Sequence, residues 1–226
     1  MPNPPKKPNF SKYYYTLYFD FINNEINDFE TVLDIGCGKG KKLLDFRLIN
    51  KKSFGIEPSN ICSGVHKELG LNTKIGFIES VKEKYDLVIL SHVLEHLSDL
   101  EKNIKNLYNI SKKYVFIEVP GHISKHQSIQ NAHNYYFSIN TLNYFFIKNK
   151  FKPIKVEYAK DNEFILALYE KTNHKVDYNF DKYFELKMVR KITRKYFYKY
   201  ILIKTLKFIR LENFIRQLFN KSRFNA

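Results

Sequence analysis

Apolar residues along this chain recur at two spacings. Short runs at Thr31–Ile35, Ser53–Glu57, Thr73–Ile78, Tyr85–Ser91 and Tyr114–Val119 read as strands. Stretches with apolar positions three and four apart read as helices near Lys39–Ile49, from Ser59 or Asn60 to Leu69, over Leu97–Ile110 and over Asn140–Lys150. An earlier helix within residues 11–27 places Tyr14, Leu17, Tyr18, Phe21 and Ile22 on one face, packed over the sheet edge or a cofactor entrance. Tyr85–Ser91 is apolar throughout, as a central parallel strand covered on both faces must be. Pro58 and Pro120-Gly121 stop strands, Ser59 or Asn60 caps a helix, and Gly70 closes one. Pro153–Tyr158 and Phe164–Tyr169, split by Lys160-Asp161-Asn162, form a terminal hairpin. Strands alternating with helices predict an α/β fold, a mostly parallel sheet with helices on both sides, and no internal repeat is visible.

One stretch organises this alternation. Thr31-Val-Leu-Asp-Ile-Gly-Cys-Gly-Lys-Gly40 is a buried strand that turns through three glycines into a helix, which brings bare backbone N–H groups close to a ligand. Glu57 ends the next strand, about 20 residues on, where an acid is needed to hold a ribose. A dinucleotide fold wants G-x-G-x-x-G after the strand. Here the spacing is D-x-G-x-G-x-G, with Asp34 inside the strand end. Together with Glu57 and the later Ser91-His-Val-Leu-Glu-His-Leu97, it resembles motif I of the class I S-adenosylmethionine-dependent methyltransferases. The resemblance covers residues 11–170 and implies a Rossmann-like, seven-stranded sheet ending in an antiparallel hairpin, with S-adenosylmethionine as cofactor.

The resemblance also implies roles. Gly36 and Gly38 let the backbone approach the methionine portion of the cofactor, and Asp34 orients its ammonium group. Glu57, followed by Pro58, takes the two ribose hydroxyls, which needs a bidentate acceptor. Glu79 and Ser80 stand where the adenine edge is met, although the family often has Asp and an apolar residue there. Ser91 and His92 line the floor beneath the methyl group. Cys37 falls within the same turn and reads as a small filler. Lys39 departs from the small residues usual at its place and reads as solvent-facing.

Two clusters could serve the acceptor. In Ser91-His92-Val93-Leu94-Glu95-His96 the spacing puts His92, Glu95 and His96 on one face of a helical turn. H-x-x-E-H has zinc-like spacing. No metal is expected, because the E-H-L ending recurs in the methyltransferase family without one; His96 reads either as a packed structural histidine or as a catalytic residue. The second cluster is Glu118-Val-Pro-Gly-His122, His126 and His133-Asn-Tyr-Tyr-Phe-Ser138, within a long polar loop over residues 121–138 of the kind that often forms a functional lid. Ala132-His-Asn-Tyr-Tyr-Phe-Ser-Ile-Asn-Thr-Leu142 resembles the H-x-x-x-F-S-x-x-T-L segment of methyltransferases from surface-polysaccharide gene clusters. Ser138 is expected to cap the next helix, leaving His133 as the candidate base with Tyr135 beside it. The usual Gly-Phe after that helix is Lys150-Phe151 here, which puts the turn geometry in question.

Composition sharpens the picture at the ends. The 226 residues suffice for one domain with appendages. Two cysteines, Cys37 and Cys62, make neither a disulfide framework nor a metal spacing, which suits a reducing cytosol. Residues 1–10 read as a flexible lead without the apolar core of a signal peptide, and no apolar run approaches a membrane span. The net charge is +15, of which residues 171–226 hold +11. This basic extension places Leu186, Val189, Ile192, Tyr196 and Tyr200 on one helical face, and Lys187, Lys191, Arg194, Lys195 and Lys199 on the other. Basic helices of this kind pack on the domain or on a second subunit in a homo-oligomer, lie on an anionic membrane face, or bind RNA. The expectation is a cytoplasmic enzyme, peripheral at the inner membrane face, methylating an oxygen of a saccharide or phosphate-bearing precursor. The alternatives are an RNA methyltransferase, disfavoured because no Asn/Asp-Pro-Pro-Tyr/Phe motif follows the fourth strand, and a non-catalytic scaffold.

Overall fold

The computed structural model describes residues 12–121, 132–159 and 163–208. These divide into two units between Phe180 and Asp181. In the first, β1 (Thr31–Ile35), β2 (Lys52–Glu57), β3 (Thr73–Ile75), β4 (Tyr85–Ser91), β5 (Ser111–Pro120), β6 (Phe151–Ala159) and β7 (Phe164–Lys171) form one sheet in the order β3-β2-β1-β4-β5-β7-β6. The first five strands pair in parallel, and β7 pairs antiparallel with both β5 and β6. The strand order reverses beside β1, so the carboxyl ends of β1 and β4 flank the crevice where an open parallel sheet takes its ligand. The chain thus adopts the Rossmann-like methyltransferase architecture expected of it.

The central strands are apolar on both faces because both faces are covered. Val88 and Leu90 of β4, Val115, Ile117 and Val119 of β5, and Ile165, Ala167 and Tyr169 of β7 face α4 (Leu100–Ile110) and α5 (Ile139–Lys148). The alternate residues, Leu87, Ile89, Phe116, Leu166 and Leu168, join Phe46 of α2 (Lys41–Leu48) and Tyr18, Phe21 and Ile22 of α1 (Lys12–Asn23). The three described apolar positions predicted for the first helix are therefore all buried. At the start of β4, Asp86 Oδ2 accepts from the Glu30 and Thr31 amides and the Thr31 hydroxyl, and so fixes the register of β1 against β4.

Local chemistry sets the boundaries. Gly40, at φ 77°, starts α2 two residues later than the periodicity predicts. The second helix splits into a single 3-10 turn capped by Ser59 and a short α3 (Ser63–Glu68), and Gly70 closes it at φ 57°. Strand β3 stops at Ile75, three residues short of its predicted end, because the chain turns at Gly76 to bury Ile78. The helix predicted from Leu97 begins at Leu100, where the Asp99 side chain accepts from the Lys102 amide. Ser138 caps α5 as expected, in a reciprocal box with Thr141. At the departure from Gly-Phe, Lys150 adopts the left-handed φ of 63° itself and delivers Phe151 fully buried into the core. The second unit contains α6 (Lys182–Phe208), with Tyr183, Phe197 and Tyr198 exposed. No helix among the described residues is long and apolar enough to cross a membrane. The lead over residues 1–10, His122 and His126, the turn 160–162 and the tail beyond Phe208 lie outside the described residues.

Phe146 of α5 is fully buried and stacks on Tyr169 with ring centroids 4.3 Å apart and planes 8° from parallel. Phe146→Ala is expected to cost about 3–5 kcal/mol of folding stability. Urea unfolding measures this directly, and a loss below about 1 kcal/mol would mean that the ring does not anchor α5 to the sheet.

Candidate active site

The loop after β1 is shaped by what its glycines would collide with. A Cβ on Gly36 (φ 70°) would stand 2.4 Å from a Val93 methyl, and one on Gly40 would stand 2.2 Å from Leu71. Gly38 (φ 50°) differs, since a Cβ there would meet nothing within 4 Å. Protein packing explains the outer two glycines. At Gly38 the backbone faces open space, where a ligand could approach.

Glu57 is fastened to that turn. One carboxylate oxygen accepts from the Gly38 amide at 2.9 Å, and the other from the Ser59 amide at 3.0 Å, across Pro58. Both oxygens are held in place and each keeps a further lone pair. The turn is braced from behind by His66, a buried residue whose Nε2–H donates to the Gly38 carbonyl at 2.6 Å, while Nδ1 pairs with the Thr73 hydroxyl at 3.1 Å. Sequence reasoning missed His66, because nothing in its spacing separates it from other helix residues.

Asp34 lies in β1, between Gly55 of β2 and Ile89 of β4, and is 3% exposed. Burial pushes its carboxyl up to about 6, against the attraction of Lys42 and with repulsion from Glu118 and Glu57. Cys37 is buried with its sulfur over Gly55, where a Cβ would sit 2.7 Å away. Burial, then the charges of Asp34 and Glu57, raise its thiol to about 12, and it fills space as expected. Lys39 is exposed.

Glu79 and Ser80 are exposed in the turn after β3, and the Ser80 hydroxyl donates to the Phe77 carbonyl. Phe77 itself is 66% exposed and Ile61, after β2, 86%. Both are large apolar side chains in the turns that follow strand ends, a signal present in the sequence and passed over. Beyond β4, the Ser91 hydroxyl donates to Glu118. His92 has a left-handed φ of 56°, a strained conformation for a residue with a side chain. Its ring lies 3.5 Å from Glu95 and 3.8 Å from Glu118. Burial disfavours its imidazolium, but the two carboxylates outweigh this and raise its proton affinity.

The predicted helical turn over His92–His96 is instead a 3-10 turn, Leu94–His96, preceded by the strained His92. His92, Glu95 and His96 therefore do not share one helical face. Glu95 points inward at 1% exposure. The incoming segment of the loop packs against this turn: the Asn134 and Tyr135 amides donate to the Glu95 carbonyl, Asn134 Nδ2 donates to the His96 carbonyl, and Ala132 O accepts from His96 Nδ1 at 2.8 Å. This brings His133 beside His96, with ring centroids 4.8 Å apart. The Tyr135 hydroxyl is committed to the Ser98 carbonyl at 3.0 Å and near the Leu100 amide, so it holds the start of α4. Within H-x-x-x-F-S-x-x-T-L, Phe137 and Leu142 are core and Ser138 and Thr141 are a cap. His133, the remaining position of the motif, is neither core nor cap and makes ring contacts with His96 and Tyr136.

The sign of the Asp34 shift fixes a pH dependence. A carboxyl titrating at about 6 when folded and near 3.8 when unfolded holds its proton better in the folded state. That contribution to stability is fully present below about pH 4 and is lost as the pH rises through 6, a difference of about 3 kcal/mol. Asp34→Asn should therefore stabilise the ligand-free protein at pH 7.5 and not at pH 4, as read by urea unfolding at the two values.

Comparison with known proteins agrees with this fold. No curated protein sequence matches the chain. Among solved structures, a SAM-dependent methyltransferase from Archaeoglobus fulgidus is similar, with 17% identity over 71% of this chain and 95% of that one and a TM-score of 0.61. So is a methyltransferase of Haloferax volcanii in complex with the Trm112 methyltransferase activator, with 13% identity, 71% and 90% coverage and a TM-score of 0.59. Magnesium protoporphyrin IX methyltransferase from Synechocystis, solved with bound SAH, has 12% identity, 68% and 79% coverage and a TM-score of 0.57. At such identities these likenesses speak for the fold. A family model described as a methyltransferase domain matches residues 10–154, more than half of the chain. The chain belongs to the methyltransferase-domain family of enzymes.

Proposed function

We propose that the protein moves a methyl group from S-adenosylmethionine to an oxygen of a small acceptor, a sugar, sugar-nucleotide or phosphate-bearing precursor of a surface polysaccharide. The observation that carries the cofactor assignment is Glu57, whose two oxygens are pinned by Gly38 and Ser59 with lone pairs left for a pair of ribose hydroxyls. Asp34 takes the ammonium group, whose charge offsets the cost of burying the carboxylate. Gly38 offers the open backbone for the methionine portion, and Phe77 and Ile61 offer apolar surface for the adenine.

Transfer is an in-line displacement. The acceptor hydroxyl loses its proton, an oxygen lone pair attacks the methyl carbon, the carbon–sulfur bond breaks, and its electron pair stays on sulfur as S-adenosylhomocysteine. His96 and His133 activate the hydroxyl beyond the end of β4, and Tyr135 positions their segment. A saccharide acceptor is supported by the resemblance of the His133–Leu142 segment to that of surface-polysaccharide methyltransferases, in which His133 is neither core nor cap. The basic extension beyond Lys171 fits the anionic membrane face where such precursors are assembled.

The test is transfer of labelled methyl from S-adenosylmethionine into fractionated cell extract, with Glu57→Ala as the blank. Label in soluble saccharides or glycans is expected. Label in RNA instead would overturn the acceptor assignment. Calorimetric titration with S-adenosylhomocysteine tests the cofactor half. Affinity should fall about tenfold from pH 7.5 to pH 5, as Asp34 takes up its proton and meets the ammonium uncharged. In Asp34→Asn binding should be weaker and flat over this range. An unchanged pH profile in that variant would remove Asp34 from the ammonium site.

A further inference from the structure

We propose that Glu95, His96 and His133 form a site for a divalent transition-metal cation of the zinc type, placed to hold the acceptor oxygen. The use of the metal in transfer rests on the methyltransferase reading above; the site itself does not.

Three observations converge. One potential ligand atom from each of the three residues lies within 4.8 Å of the other two. A cation bound at about 2.0–2.2 Å needs such atoms roughly 3.4 Å apart, a closure that side-chain rotation supplies. Next, both carboxylate oxygens of Glu95 and Nδ1 of His133 are buried without a hydrogen-bond partner. Glu95 is 1% exposed, and a carboxylate so buried is costly unless a positive charge meets it. His92 Nδ1 lies 3.5 Å from Glu95 Oε1 while its Nε2 lies 3.8 Å from Glu118, so one imidazole is shared between two carboxylates.

The third observation concerns His96. A carbonyl only accepts, so the 2.8 Å contact with Ala132 O places the proton on Nδ1. In the neutral ring Nε2 then carries the lone pair, and it lies 3.9 Å from Glu95 Oε1. A cation between these two atoms is held by both. A ring N–H donated to a backbone carbonyl is also the usual outer support of a metal-binding imidazole.

Two imidazoles and one carboxylate select a borderline cation of the zinc class over Mg²⁺ or Ca²⁺, which favour all-oxygen sets. Three protein ligands leave a coordination position open. His96 is 41% exposed on its side chain, so that position can be reached. With both imidazoles ligating, they activate the hydroxyl through the cation and not as free bases: an acceptor hydroxyl bound there loses its proton to solvent more readily, and the oxygen is fixed in place for attack on the methyl carbon. This departs from the sequence expectation of no metal, which weighed His92 as a ligand and could not bring in His133.

The test uses the full, untagged chain stripped with EDTA. Titration with ZnCl₂ should show one site, and Co²⁺ should give the visible ligand-field bands of a nitrogen–oxygen site of low coordination number. His96→Ala and His133→Ala should each weaken Zn²⁺ binding at least tenfold while leaving S-adenosylhomocysteine affinity unchanged. Absence of Zn²⁺ binding in a chain that binds S-adenosylhomocysteine normally would overturn the proposal, as would Zn²⁺ binding unaffected by either substitution. Zn²⁺ binding that depends on both histidines, in a chain that fails to bind S-adenosylhomocysteine, would support the metal site and overturn the cofactor reading instead.

Discussion

A carboxylate sits in an inner strand of this sheet with no ion-pair partner in contact among the described residues. Asp34 is in register with Gly55 and Ile89, inside a layer that is otherwise apolar, and its raised pKa measures how poorly the ligand-free fold accommodates it. The surrounding turns follow from that placement. The chain leaves the carboxyl end of β1 through glycines in left-handed backbone, two of them hemmed in by Val93 and Leu71 and the one between them, Gly38, left open. Glu57, one strand over, is anchored rather than free to collapse onto the opening. Two acids of adjacent strands, one buried and one anchored, thus stand at the same end of the sheet.

The parts of the fold legible in the sequence were those with a single physical cause. Tyr85–Ser91 is apolar on both faces because helices cover both faces, and Ser138 caps because its side chain reaches the Thr141 amide. Boundaries moved where a second cause intervened. Ile78 drew the chain out of β3 to reach the core, and Asp99 began α4 later than the apolar spacing indicates. Lys150 shows the limit of reading by residue type: the left-handed position persists without glycine, because the fully buried Phe151 beside it fixes where the chain must go.

The cofactor half of the site was legible because its residues lie within a few positions of strand ends. His66 was not, since its partners Gly38 and Thr73 come from two separate elements. The acceptor half was only half legible. The spacing of His92, Glu95 and His96 suggests a common helical face, but a strained His92 and a 3-10 turn separate them. His133 joins Glu95 and His96 through main-chain and side-chain hydrogen bonds between residues 36 or more apart, which no local pattern encodes.

Those bonds have a further consequence. The segment Ala132–Tyr135 is docked on the Glu95–Leu97 turn by two main-chain bonds to the Glu95 carbonyl and by the side chains of Asn134 and His96. The glycine turn and Glu57 take no part in that docking. The mount is therefore written partly in side chains. A change at Asn134 or His96 loosens the returning segment and the turn after β4 together, so these two pieces of chain, far apart in sequence, behave as one mechanical part.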